Sequence, residues 1–68
     1  MRQEVIAEVS LDLDFARENL NTLIALFRSG SNKLIWDNKQ VALTAADSII
    51  KTMVELRGTV GNDDGKAS

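Results

Sequence analysis

A chain of 68 residues has room for one small domain, and with no cysteine and no histidine it lacks disulfides, thiolate metal sites and imidazole chemistry. Eight Lys and Arg against ten Asp and Glu give a formal net charge of −2 and a pI near 4.9, which argues against nucleic acid as a partner. No apolar run approaches the ~20 residues of a membrane span, and Glu4, Glu8, Asp12 and Asp14 interrupt any signal-peptide core, so a cytoplasmic location is expected.

Residues 3–29 carry apolar side chains at Ile6, Val9, Leu13, Ala16, Leu20, Leu23 and Phe27. The alternating steps of three and four predict a helix packed along its length on another helix. Residues 7–15 also alternate apolar and polar, so a strand followed by a helix capped at Asp14 is the competing α+β reading. The unbroken run from Ile6 to Phe27 favours the helix. Leu11, Phe15 and Leu26 are apolar but lie off this line.

Ser29-Gly30-Ser31-Asn32 is the one turn-like cluster before residue 58, and the chain has no proline. A second helix is predicted over 32–57, with Ser31 or Asn32 capping its start and Gly58 its end. Its polar stripe is Lys33, Asp37, Gln40, Thr44, Asp47, Lys51 and Glu55. Lys33–Asp37, Asp47–Lys51 and Lys51–Glu55 are oppositely charged pairs one helical turn apart. The apolar remainder spans about half the circumference, nearly twice the ~100° that one neighbouring helix covers. Folding into a hairpin therefore leaves Trp36, Leu43, Ile50 and Val54 on an uncovered shoulder. Residues 58–68 are glycine-rich and polar, and are expected to form a disordered tail.

Catalytic and metal-binding patterns are absent from the sequence. Glu4, Glu8 and Asp12 share a helix face, as do Asp14 and Glu18, but helix-borne carboxylates without a loop read as a solvated acidic face. No Walker loop, GxSxG, HExxH or EF-hand pattern occurs. Arg17, Arg28, Lys33 and Lys39 gather near the turn but are interspersed with acids, which reads as ordinary solvated charge rather than a phosphate-binding patch. Trp36 is either an interface anchor or a plug for the turn end of the core. Met53 reads as core filler.

Trp36, Ala42, Leu43, Ala46, Ile49 and Ile50, preceded by Leu20, Leu23 and the turn at Gly30, resemble the second long helix and the preceding helix and turn of a known family. These are the small E-type co-chaperones of the needle-subunit chaperone in bacterial type III secretion. The resemblance covers about residues 20–50. It implies a helical hairpin that is not an enzyme. It also implies docking on a tetratricopeptide-like chaperone, the pair keeping the needle subunit soluble and unpolymerised. A second resemblance is architectural. Gly61-Asn62-Asp63-Asp64-Gly65 is similar to the acidic tail of Rop-like plasmid regulators, hairpins that dimerise into four-helix bundles and bind paired RNA loops. The acidic first helix argues against that RNA role.

The expected protein is thus all-α. It is an antiparallel hairpin over 1–57 with a tail over 58–68, and it completes a bundle by docking on a helical-repeat chaperone or by pairing with itself. The expected role is protein binding through Trp36, Leu43, Ile50, Val54, Leu11, Phe15 and Leu26, with no enzyme activity, cofactor or metal. A homodimeric regulator, phage- or plasmid-encoded, that binds RNA, DNA or a host protein is the alternative.

Overall fold

The computed structural model describes residues 1–62. Three helices follow one another: α1 (Gln3–Arg28), α2 (Asn32–Asp37) and α3 (Lys39–Asn62). The first and third lie side by side as an antiparallel hairpin, and no strand occurs among the described residues. The competing strand over 7–15 is therefore not formed. Helix α1 runs through that stretch because α3 supports it along its length, with Val9 and Asp12 turned toward the partner and Leu11 and Phe15 left outside.

The turn is built by side chains that satisfy the helix ends. The Gly30 amide donates to the Phe27 carbonyl at 3.2 Å, and Gly30 sits at φ +65°, a conformation that favours glycine. The Ser29 hydroxyl donates to the Leu26 carbonyl at 2.6 Å and accepts from the Ser31 amide at 3.2 Å. Ser31 caps α2, its Oγ accepting from the Leu34 amide at 3.1 Å.

Two features depart from the expected second helix. Asn38 interrupts it, at φ −108° and ψ 23°. Its side-chain amide donates to the Leu34 carbonyl at 2.8 Å, while its backbone amide is shared between Leu34 and Ile35. A short amide side chain competing for a helix carbonyl loosens the helix at that point. The helix resumes at once, the Ala42 amide donating to the Asn38 carbonyl at 3.0 Å.

The second departure is at the far end. Gly58 does not stop the helix; α3 continues through Gly58 and Gly61 to Asn62. Thr59 is half-buried and lines a groove shared with Val5 and Val9, so packing against the start of α1 outweighs the ~1 kcal/mol that glycine costs a helix. Residues 58–62 of the predicted tail are therefore helical, and the rest of the predicted tail, 63–68, lies outside the described residues.

The seam between the helices is narrow. Ala16 and Ala45, at 5% and 4% exposure, are its buried centre. On α1 the residues turned inward are Val5, Val9, Asp12, Ala16, Asn19, Leu23 and Leu26; facing them are Ile35, Asn38, Ala42, Ala45, Ile49, Thr52, Leu56 and Thr59. Both runs step by three and four, the spacing of packed helices. Small and polar side chains dominate them, and a hydrogen bond from Asn19 Nδ2 to Ser48 Oγ, 3.1 Å, ties the helices at mid-length.

Candidate functional site: the exposed apolar flank

The seam predicted from sequence on α1 divides in the structure. Val9, Ala16 and Leu23 face α3. Ile6, Leu13, Leu20 and Phe27, each seven residues after the last, remain exposed, and Leu20 keeps 48% of its surface in solvent. These four sit one step round the helix from the buried line. Ile24 lies one further step out, also exposed.

The same offset recurs on the other arm. One step round from its buried line are Ala46, Met53 and Val60; one step beyond are Trp36, Leu43 and Ile50, again at intervals of seven. Two helices that run in opposite directions carry equivalent offsets on the same side of the pair. The two stripes therefore join into one apolar flank running the length of the hairpin. Trp36 at 71% exposure and Ile50 at 60% are its most prominent members.

The flank is interrupted only by cations and a serine. Arg17, Lys39 and Arg57 sit within it, with Ser10. Arg17 is held by Asp14 at its edge, 3.4 Å away, and the Lys39 ammonium lies 4.8 Å from the centre of the Trp36 ring. Lys33 pairs with Asp37 at 2.7 Å, so three of the four basic residues near the turn, Arg17, Lys33 and Lys39, have separate partners rather than forming one pool. Both ion pairs are largely solvated, and each is worth at most ~1 kcal/mol. The predicted Asp47–Lys51 and Lys51–Glu55 pairs are not closed.

The expected partner-binding residues thus fall in three places. Trp36, Leu43 and Ile50 lie on the flank, with Val54 at its outer edge. Leu11 and Phe15 are exposed on other sides of α1, away from it. Leu26 is half-buried beside Leu34, Asn38 and Val41, where it lines a groove near the turn. Sequence reasoning missed Ile6, Leu13, Leu20 and Phe27 as surface residues because it assigned them to the internal seam. It missed Val60 because Gly58 was read as a stop. The side opposite the flank has no equivalent stripe, being broken by Glu8, Glu18, Ser48 and Glu55.

No cluster of acidic side chains among the described residues is arranged to hold a metal ion. Among the described residues, no helix is long and apolar enough to cross a membrane. No protein-family model, curated protein or solved structure matches the chain.

Proposed function

We propose that this chain is a non-enzymatic protein-binding module whose working surface is the apolar flank. The observation that carries the reading is the continuity of that flank, from Ile6 and Val60 at one end to Phe27 and Trp36 at the other. Scattered exposed apolar residues are ordinary; a contiguous stripe of this length marks an interaction surface. An aromatic pair at one end and aliphatic residues along the rest match the make-up of protein interfaces. The resemblance to secretion co-chaperones would make the cover a helical-repeat chaperone, and the hairpin form agrees with it.

The test is site-specific photo-crosslinking of the full chain in cells, with benzoylphenylalanine placed at Leu43 or at Leu11. The flank position should give discrete protein adducts and the Leu11 position none. Absence of adducts at Leu43, or equal yields at both positions, would refute the assignment.

A further inference from the structure

Building on that reading, we infer that the flank is covered by a second copy of this chain. The two hairpins lie face to face with their turns at the same end, in a four-helix bundle. The area fits. The large apolar residues of the flank keep about half their surface exposed in the single hairpin. At about 200 Å² per large side chain, ten of them offer at most roughly 1,000 Å² per copy, enough to reach the ~800 Å² per partner of a stable interface if most of it is covered.

The register fits as well. Val5 and Thr59, Asn19 and Ala45, and Leu26 and Asn38 each line a common groove, and each pair of numbers sums to 64. Residues whose numbers sum to about 64 therefore stand at one level of the hairpin. A dyad along the bundle axis sets α1 of one copy over α3 of the other at the same levels. Leu13 then meets the second copy's Ile50, Leu20 its Leu43, and Phe27 its Trp36. Each α1 would pack on its own α3 through the narrow seam and on the other copy's α3 through the flank.

Charge selects this arrangement. Along the rim it places Arg17 at the level of Asp47 in the second copy. The alternative, with turns at opposite ends, sets Lys39 against Arg57, Arg17 against its own counterpart, and Asp47 against its own counterpart. Like charges at one level repel and opposite ones attract.

The experiment uses the full chain in four forms, the parent and three variants. Light scattering should give twice the chain mass. Ile50→Asp should give a helical monomer, since Ile50 is already exposed in the single hairpin. Leu11→Asp should leave the dimer intact. Because the chain has no cysteine, Asn32→Cys can carry one spin label beside the turn. The two labels should lie within about 30 Å in the dimer. Turns at opposite ends would separate them by the length of α1, roughly 40 Å at 1.5 Å per residue.

Labels that far apart would overturn the arrangement. A dimer indifferent to Ile50→Asp would overturn the inference. A monomer whose Leu43 crosslinks only to a different protein would overturn self-pairing and leave the binding-module reading standing. A monomer without such adducts would overturn both.

Discussion

Replacing Gly58 with alanine inverts a sign between two accounts of this chain. If Gly58 ended the helix in a left-handed conformation, a β-carbon there would cost about 1–2 kcal/mol. In the structure Gly58 is a helical residue, and a β-carbon built on it meets nothing within 4 Å. Alanine then removes the entropic cost of glycine, a gain of about 0.5–1 kcal/mol, with the lower figure favoured by the nearby helix end. For a domain of this size that raises the midpoint of thermal unfolding by about 2–8 °C. Gly30, at φ +65°, supplies the contrast in the same chain, since Gly30→Ala strains the turn and should lower the midpoint. The assay is far-UV circular dichroism against temperature for all three proteins at one chain concentration, because association adds to apparent stability. A Gly58→Ala midpoint below the parent would show that the helix stops there, and would remove Val60 from the flank.

Three further outcomes follow from the seam and the turn. Ser31→Ala removes the cap on Leu34 and should cost about 1 kcal/mol by urea titration; an unchanged midpoint would mean the cap is idle. Ala45→Leu forces four-carbon bulk into the tightest point of the seam and should destabilise by about 1–3 kcal/mol in the same titration, whereas a neutral result would contradict close approach there. Asn19→Ala breaks the bond to Ser48 and should cost about 1 kcal/mol, with faster amide hydrogen exchange at mid-length of both helices; exchange unaltered around Ser48 would separate that bond from the packing.

The hairpin was legible because its signals are local. Periodic apolar residues, a serine cap and a single glycine turn each act within a few positions, and they agree with one another. What the pattern leaves ambiguous is which of two interleaved stripes on α1 faces inward. Ile6, Leu13, Leu20 and Phe27 are the more hydrophobic, so sequence reasoning buried them. The fold turns Val5, Asp12, Asn19 and Leu26 inward in their place, beside Val9, Ala16 and Leu23. Alanines at the crossing let the backbones approach, and Asn19 finds a hydroxyl on the opposite helix, both of which depend on a neighbour absent from any local window. Half of the site followed from the width of the second helix's apolar surface; the half on α1 required knowing the rotation of one helix about its axis. The end of α3 was misread for a related reason. A glycine's preference to stop a helix is weak, and it yields to packing between Thr59 and residues at the other end of the chain.

Trp36 is the sole tryptophan, and the chain has no tyrosine. Its indole stands in solvent with the Lys39 ammonium over one face. Essentially all intrinsic fluorescence of the protein therefore originates at one end of one surface. Any body that settles on the flank displaces water from that ring and shifts its emission toward the blue, without a dye or tag. The same arrangement makes the signal blind to the rest of the molecule: unfolding of the far end would pass unseen while occupancy of the turn end is read directly.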